Sequence, residues 1–366
     1  MRIGFLHNRD DLYCATRMMY FVNKGHKVYS FSFYSQYSQD LPEEITQIHL
    51  PIFPLKYNYT KRFIHLKDVY TYVKKFELDI LHIISMINST YAICRNRVKI
   101  VLENMGSDVL ILPKRYPIYK ILYKFMYKFA DAVVQDSYIS KRAGELYGAP
   151  LINNEVIDIG VNFEAFSPNI KFGIARAKLG LSDNEKMVFF SRGLNDIYNL
   201  DIIIKTVPIV VKTIPNIKYV FCNLRGDLKF KYDRLIQENK CSDYIISVGR
   251  LDHFTEMPYY YRDSDVVLSV PSSDSSPLSV YESMACKTPV IISDLPWFKD
   301  KFEKDRDLVI VSVKDIEMLA NAIIKVLNGE CTVDVDSVYE KVFRNINYKT
   351  ENLKLENLYT RILKNL

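Results

Sequence analysis

Runs of consecutive apolar residues, separated by segments with helical spacing, form the main pattern of this chain. In the first half these runs are RIGFLH, HKVYSFSF, LDILHII, VKIVLEN and DAVVQDS, which begin at residues 2, 26, 78, 98 and 131. In the second half they are KMVFFSR, KYVFCNL, DYIISVG, DVVLSVP, PVIISD and LVIVSV, which begin at 186, 218, 243, 265, 289 and 308. Such runs are typical of parallel strands buried on both faces, and the helical segments between them indicate βαβ units.

The strand pattern restarts after a polar stretch, FSPNIKFGIARAKLGLSDNE, at residues 166–185. We therefore predict two doubly wound α/β domains, 1–168 and 169–345, and a terminal helix over 346–366 that packs back on the first domain. Two such sheets facing across a cleft would hold ligands beyond the carboxyl ends of their strands.

Composition narrows the class of protein. A chain of 366 residues with 48% hydrophobic and 25% charged residues is of ordinary globular composition. Its six cysteines lie far apart with no CxxC pair, and no apolar run reaches the roughly 18 residues that span a bilayer. We expect a cytoplasmic protein with free thiols, whose N-terminus forms a strand rather than a signal peptide, and with no metal site.

The stretch SSDSSPLSVYESMACKTPVI, residues 272–291, carries the densest chemistry. Pro277 after Ser276 predicts a helix start, whose first N–H groups attract anions. Asp274 lies in the loop before this helix, and Glu282 lies about one and a half turns into it. The loops after two other predicted strands, at 191–199 and 249–253, are expected on the same face.

These segments, in this order, resemble the retaining GT-B glycosyltransferases of the family 4 (glycosyl transferases group 1) type. The stretch at 272–291 is similar to the E-x7-E segment of that family. NKGHKV (23–28), NMGSDVL (104–110), IDIGVNFEAFSP (157–168) and SRGLNDIYNLD (191–201) resemble further family motifs. The resemblance covers nearly the whole chain and implies an α/β GT-B architecture of two Rossmann-like domains.

The resemblance also implies roles for individual residues. Arg192, Asp274 and Glu282 would act in catalysis, with Glu282 on the ribose, Asp274 on the transferred sugar and Arg192 on the diphosphate. The full donor-binding set would be Arg192, Asn199, Gly249, Arg250, Leu251, Asp274, Ser275, Ser276, Leu278, Ser279 and Glu282. The acceptor-side set would be Asn8, Arg9, Gly106, Ser107 and Asp108. No metal and no cofactor beyond the nucleotide-sugar donor are expected.

Simpler structural roles compete with these assignments. Glu282 could complete a capping box with Ser279, Arg192 could pair with Asp196, and Asp274 could be a solvated loop acid. Asp108 could cap a neighbouring segment as readily as touch a sugar. His82 is expected to be a structural histidine.

Three positions also depart from the family pattern: Met105 replaces a histidine, Tyr198 and Asn199 replace Lys-Gly, and Asp274 replaces glutamate. With lysine lost, Arg250 could share the phosphate charge.

Basic residues concentrate between 56 and 128, where the chain has 14 Lys and Arg residues and only 5 Asp and Glu residues. The helix KRYPIYKILYKFMYKFA (114–130) contributes Lys120, Lys124 and Lys128 at intervals of four residues. Ile121, Leu122, Phe125 and Phe129 are expected to be buried, with the tyrosines beside the lysines. Either the helix is a core helix with a solvated basic face, or the lysines contact anionic membrane lipid. No nucleic-acid-binding module is present.

The predicted function is a retaining glycosyltransferase that moves a sugar from a nucleotide-diphosphate donor to a glycan or lipid-linked acceptor in microbial surface polysaccharide or glycoconjugate synthesis. It would work in the cytoplasm, in possible association with the inner face of the cell membrane. A catalytically impaired homologue that binds glycans or stabilises a partner is the main alternative, favoured by the departures. An epimerase acting on UDP-sugars is a third. A nicotinamide dehydrogenase is disfavoured because no GxGxxG follows a strand.

Overall fold

A computed structural model of the chain describes residues 1–7, 12–33, 41–50, 66–94, 98–222, 228–304 and 306–364. The chain forms two compact units. The first comprises Met1–Ile159 together with Lys349–Leu366, and the second comprises Gly160–Tyr348. Each unit is built on one parallel sheet, as the apolar runs predicted.

The sheet of the first unit has seven strands in the order β3-β2-β1-β4-β5-β6-β7 within the described residues. Their bounds are β1 Arg2–His7, β2 Lys27–Ser32, β3 Thr46–His49, β4 Ile80–Ile84, β5 Lys99–Asn104, β6 Ala132–Gln135 and β7 Asn154–Val156. All five predicted strands are present. The sequence did not indicate β3 and β7, because these edge strands are only TQIH and NEV.

Six helices of the first unit precede its last strand. They are α1 Leu12–Asn23, α2 Leu66–Lys75, α3 Ser107–Leu110, α4 Leu112–Arg115, α5 Ile118–Met126 and α6 Tyr138–Leu146. 3-10 helices cover Met86–Cys94 and Tyr127–Phe129. The single helix predicted over 114–130 is divided into α4 and α5, with a 3-10 turn at the end. Tyr116, which precedes Pro117, is extended at φ −134° and ψ 91° and separates the two helices.

The buried face of α5 is not the one predicted from its sequence. Tyr119, Tyr123 and Tyr127 are buried, whereas Ile121 and Phe125 are exposed. The tyrosines can be buried because their hydroxyl groups find acceptors inside the unit. Tyr123 donates to the carbonyl of Asp108 at 3.1 Å, and Tyr127 donates to Asn104 Oδ1 at 3.1 Å.

The second unit repeats the same winding. Its strands are β8 Lys186–Phe190, β9 Ile217–Cys222, β10 Ile245–Val248, β11 Val266–Ser269, β12 Val290–Ser293 and β13 Val309–Val311. They lie in the order β10-β9-β8-β11-β12-β13, so all six predicted strands are confirmed. Its helices are α7 Ile174–Leu179, α8 Leu200–Val210, α9 Lys229–Glu238, α10 Met257–Asp263, α11 Leu278–Ala285, α12 Ile316–Leu327 and α13 Val335–Asn345. 3-10 helices cover Asp196–Tyr198, Ser242–Tyr244 and Pro296–Asp300.

The terminal helix, α14 at Tyr348–Lys364, returns to the first unit as predicted. Leu355, Leu358, Tyr359 and Ile362 are buried in the core on one face of the first sheet. Each such side chain contributes roughly 1.5–3 kcal/mol when it leaves water. The first unit therefore needs the last residues of the chain to complete its core.

A buried charge network also fixes α1 and α14 to this sheet. Arg17 of α1 donates to both carboxylate oxygens of Glu103 on β5, each at 2.6 Å. His82 Nε2 on β4 lies 2.9 Å from Glu103 Oε2, and His82 Nδ1 meets the hydroxyl of Tyr359 on α14. His82 is fully buried among these partners, so its predicted structural role is confirmed. Burial opposes the charge of Glu103, but Arg17 and His82 outweigh it and lower its pKa to about 2.

The chain passes between the two units at Ile159 and again at Tyr348, rather than at the predicted 168 and 345. Residues just after Gly160 belong to the second unit because they bond to the end of α13 and the residues beyond it. Val161 accepts from the N–H of Tyr348 at 3.0 Å and donates to the carbonyl of Ile346 at 2.7 Å. Gly160, at φ +80°, lies so close that a Cβ there would approach Tyr348 Cα to 2.5 Å.

Candidate functional site

The predicted site segment of the second unit begins where β11 ends. Pro277 is the N-cap of α11, with φ −76° and ψ 97°, one residue from the predicted position. Every residue of α11 is buried. The N–H groups of its first turn have no acceptor within the helix, which makes this end of the helix attractive to an anion.

Arg192, after β8, and Asp274, after β11, form an ion pair across the edge of the sheet. Arg192 Nη2 lies 2.6 Å from Asp274 Oδ2, and both side chains are largely buried. The backbone N–H of Ser275 donates to Asp274 Oδ1 at 2.9 Å. The ring of Tyr198 lies 5.0 Å from the guanidinium carbon of Arg192, so the residue that replaces the family's lysine packs against the arginine.

Two simpler interpretations are therefore wrong. Asp196 pairs with Lys231 at 2.5 Å rather than with Arg192. Asp274 is not a solvated loop acid, because its two oxygens accept from Arg192 and from its own loop.

Glu282 pairs with a histidine that the sequence did not single out as a site residue. His253 Nε2, in the loop after β10, lies 2.7 Å from Glu282 Oε1, and Glu282 is almost fully buried. Burial disfavours the charged imidazole, but the carboxylate of Glu282 outweighs it and raises the pKa of His253. The capping-box interpretation of Glu282 is wrong. Among the described residues, Ser279 Oγ is buried with no hydrogen-bond partner.

These contacts bring together the three predicted loops. Arg192 joins the loop after β8 to the loop after β11, and Glu282 joins α11 to the loop after β10. Tyr261 of α10 also donates to Ser191 Oγ at 3.0 Å, directly after β8. The predicted convergence on one edge of the second sheet is confirmed.

Asn199 supports the loop that follows β11. Its backbone is left-handed at φ +53°, and its side chain is 1% exposed. The amide donates to the carbonyl of Val270 at 2.9 Å and accepts from Ser272 Oγ at 3.0 Å. The side chain of Asn199 thus holds the loop that carries Asp274, and contact of Asn199 with the donor remains a prediction.

The other predicted donor-side residues differ in their exposure to solvent. Leu251 and Ser275 are buried, Ser276 is half-buried, and Leu278 and Ser279 lie in the first turn of α11. Gly249 and Arg250 are exposed, and no described residue forms an ion pair with Arg250. Its share in the phosphate charge remains a prediction.

Lys301 is a second cation near this loop, and the sequence analysis did not identify it. Its Nζ donates to the hydroxyl of Tyr281 at 3.2 Å and lies 5.0 Å from the centre of that ring. Ser276 Oγ donates to the same hydroxyl at 3.1 Å. Only the spatial return of the chain after β12 reveals this link, since Lys301 follows Ser276 by 25 residues.

The predicted acceptor-side residues belong to the first unit. Asn8 and Arg9 lie outside the described residues, Gly106 has φ +63°, and Ser107 is exposed. Asp108 is 1% exposed and accepts from Ser85 Oγ at 3.0 Å, Met86 N at 2.7 Å and Met105 N at 3.0 Å. Burial raises its pKa to about 6, although these donors act in the opposite direction. Its carboxylate caps the helix Met86–Cys94, which is the alternative role the sequence left open, and its contact with the acceptor remains a prediction.

The described part of the chain contains no group of three or more His, Cys, Asp or Glu side chains that could hold a metal ion. None of its helices combines the length and the apolar character that crossing a membrane requires.

Two family models match the chain, one for each half. Residues 172–344 match the model described as "Glycosyl transferases group 1", and residues 2–137 match "Glycosyl transferase 4-like". Together with two parallel sheets of seven and six strands, these matches define a two-domain α/β protein of GT-B architecture. The chain belongs to the group 1 glycosyltransferases.

Individual relatives agree with this assignment. Over 155 residues, 41% of the chain, it is 26% identical to alpha-monoglucosyldiacylglycerol synthase of Streptococcus pneumoniae (strain ATCC BAA-255 / R6). That match spans about a third of the relative's length, 34%.

Two solved structures show the same fold. Sucrose-phosphate synthase from Thermosynechococcus elongatus superposes with a TM-score of 0.85 at 18% identity, covering 100% of both chains. Anabaena HepE in complex with UDP and glucose superposes with a TM-score of 0.81 at 14% identity, covering 99% of this chain and 100% of that one.

Proposed function

We propose that this glycosyltransferase moves a sugar from a nucleotide-diphosphate sugar, with retention of anomeric configuration, to a glycan or lipid-linked acceptor in surface polysaccharide or glycoconjugate synthesis. The observation that carries the proposal is the meeting of Arg192, Asp274 and Glu282 at one edge of the second sheet. A UDP-sugar is the favoured donor, because a structure of the same fold holds UDP and glucose.

Glu282 suits the ribose of the donor. A carboxylate accepts hydrogen bonds from both hydroxyl groups of a vicinal diol. His253 engages Oε1 of Glu282 at 2.7 Å, which fixes the orientation of the carboxylate within its buried site. In this proposal Oε2 accepts from the ribose, and Oε1 stays bound to His253.

Arg192 suits the diphosphate, which is the leaving group. In the unliganded site its guanidinium is held by Asp274 at 2.6 Å. A phosphate would take over as the partner of Arg192, through charge-assisted bonds worth roughly 1.5–3 kcal/mol each. Asp274 would then accept from hydroxyl groups of the transferred sugar. Stabilising charge on the departing diphosphate is the main demand of the reaction, and the first turn of α11 adds N–H donors for it.

The chain's own groups account for the proposed chemistry without an assigned nucleophile or metal. The acceptor hydroxyl would attack from the same face as the departing diphosphate, with the bond from the sugar to the diphosphate breaking before the new bond is complete. The hydroxyl proton would pass to an oxygen of the departing diphosphate. This front-side course retains configuration at the anomeric carbon. We propose further that Lys120, Lys124 and Lys128 of the first unit bring the enzyme to an anionic membrane surface, where a lipid-linked acceptor would lie.

A transfer assay tests this function. The purified protein is incubated with UDP-sugars labelled in the sugar, together with a bacterial lipid extract or a set of disaccharides, and the product linkage is assigned by NMR. We expect labelled product with the α configuration of the donor, and none with Arg192→Ala. A β-linked product would contradict retention. Nucleotide binding without transfer to any acceptor would favour the non-catalytic homologue, and free epimerised donor would favour an epimerase.

A further inference from the structure

The outer face of α5 is apolar, although it has no protein partner among the described residues. Ile118, Ile121 and Phe125 follow one another at intervals of three and four residues, which places them on one side of the helix. Ile118 is 66% exposed, Ile121 is 70% exposed and Phe125 is 49% exposed. The opposite side of the helix is buried through its tyrosines, so α5 is packed in the first unit while presenting apolar side chains to its surroundings.

A second exposed apolar segment begins beside α5. Leu146 ends α6, and Leu151 and Ile152 lie in the loop before β7; these three side chains are between 79% and 83% exposed. The segment touches α5 at Gly148, where an added Cβ would lie 3.2 Å from Cγ of Lys124. We call these six residues the apolar surface of the first unit: Ile118, Ile121, Phe125, Leu146, Leu151 and Ile152.

Basic residues border this surface. Between 109 and 130 the chain has five basic residues and no acidic one; they are Lys114, Arg115, Lys120, Lys124 and Lys128. The described residues provide no ion-pair partner for these four lysines. With a helical repeat of 3.6 residues, Lys120, Lys124 and Lys128 run along one edge of the apolar stripe of α5. The charge is thus placed beside the apolar side chains, not among them.

We infer that the apolar surface of the first unit inserts into an anionic lipid bilayer, with the lysines at the level of the headgroups. An amphipathic helix of this kind lies in the plane of the membrane with its apolar face about 5–10 Å deep. Anionic headgroups match the uncompensated lysines, and each basic residue near such a surface strengthens binding. The inference rests on the proposed function, which already places Lys120, Lys124 and Lys128 at an anionic membrane surface. It differs from lysine contact alone because the apolar side chains enter the lipid.

Binding to vesicles tests the inference on the full chain. Wild type is sedimented with vesicles of equal parts phosphatidylglycerol and phosphatidylcholine, and with vesicles of phosphatidylcholine alone. Two variants are compared, Ile118→Ser/Ile121→Ser/Phe125→Ser and Lys120→Gln/Lys124→Gln/Lys128→Gln. Phe230→Ser is the matched control, because Phe230 is 83% exposed between two lysines on α9 of the second unit.

We expect wild type and the Phe230 variant to bind the anionic vesicles and not the neutral ones. The lysine variant should lose about 100-fold in partition coefficient, and the apolar variant at least about tenfold. Insertion is read from the quenching of Ile121→Trp by lipids brominated in the acyl chain. The Trp of Phe230→Trp, and the buried Trp297 of wild type, should not be quenched.

Several results would overturn the inference. These are equal binding of wild type to both kinds of vesicle, no binding to either, apolar variants that bind as wild type does, or an Ile121→Trp that acyl-chain bromine does not quench. A change of oligomeric state in the apolar variant would assign the surface to a second copy of the chain instead. UDP binding, measured in solution on the same variants, should be unchanged; its absence in wild type would count against the proposed function and not against lipid binding.

Discussion

At the scale of single residues, the pairing of Glu282 with His253 is the feature that most affects the proposed donor site. A carboxylate buried in an apolar helix is costly unless a partner holds it. His253 is that partner at 2.7 Å, and the rings of Phe166 and Phe254 flank it at 5.2 and 4.9 Å. The charged groups that face the imidazole are Glu282 and Asp252, both of which favour its protonated form.

This arrangement predicts a pH dependence of stability. The pKa of His253 is raised in the folded protein. The contribution of its pair with Glu282 to the free energy of unfolding is therefore complete below the ordinary histidine pKa of 6.5, and it is lost as the pH rises through the pKa of His253 in the folded protein. The free energy of unfolding of wild type should therefore fall relative to that of His253→Gln as the pH rises from about 6.5 through the folded pKa of His253. Urea unfolding of the second unit across this range is the measurement. A difference between the two proteins that stays constant with pH would contradict the pairing.

The sequence could predict the acids of the site but not their partners. Asp274 and Glu282 lie in one continuous segment, so local helix and loop signals located them. His253 precedes Asp274 by 21 residues, and Lys301 follows Glu282 by 19. Their contacts with Glu282 and, through Tyr281, with Ser276 exist only once β10 and β12 are placed in the sheet. The bonds of the Asn199 side chain to Val270 and Ser272 were not predictable for a related reason, since they join residues about 70 positions apart.

At the scale of elements, the first sheet is held to α1 and α14 by both apolar packing and the Glu103 network. Arg17, Glu103 and His82 are each nearly or fully buried, so no water replaces a lost partner. Removing one member of a buried pair leaves an uncompensated charge, whereas an exposed pair is worth little. Glu155 of β7 and Arg361 of α14 form an exposed pair that also links the sheet to a helix.

We predict that Glu103→Gln destabilises the first unit by about 3–5 kcal/mol, because Arg17 then remains buried without a counter-charge. Glu155→Gln, which makes the same change in the exposed pair, should cost about 0–1 kcal/mol. Hydrogen exchange of the β4 and β5 amides reports the free energy of opening for this unit alone. Equal effects of the two substitutions would show that the buried network does not stabilise the unit.

The same network predicts how the free energy of unfolding of the first unit decreases at acidic pH. The pKa of Glu103 is lowered from 4.5 to about 2, so its contribution is present above 4.5 and is lost as the pH falls toward 2. Glu103→Gln should remove that part of the acid dependence.

Helix α5 shows that sequence periodicity can predict a helix without predicting which of its sides is buried. Hydrophobicity scales rank isoleucine and phenylalanine above tyrosine, so the sequence favoured burial of Ile121 and Phe125. In the structure the three tyrosines are buried in the core of the first unit instead. The decisive contacts, such as Tyr127 with Asn104 at 3.1 Å, join residues from separate elements.

At the scale of the whole molecule, the two units share the order of their first six strands and differ in the features they carry. The first has the sheet β3-β2-β1-β4-β5-β6-β7, the apolar surface and the terminal helix, and the second has the cluster of Arg192, Asp274, Glu282 and His253. Both windings could be predicted, because buried parallel strands are long apolar runs. The exact change of unit could not, because it depends on the bonds of Val161 with Ile346 and Tyr348, nearly 190 residues away.

The central claim is that the second unit binds a nucleotide diphosphate through Glu282 and Arg192, and calorimetric titration with UDP tests it most directly. Wild type should bind UDP, and Glu282→Ala should weaken binding by at least about tenfold, since a charged hydrogen bond worth about 1.5–3 kcal/mol is lost. Glu238→Ala, which removes an exposed acid of the same unit, should bind as wild type does. Equal affinity of wild type and Glu282→Ala for UDP, or no binding by wild type of UDP, GDP, ADP or CMP, would contradict the account.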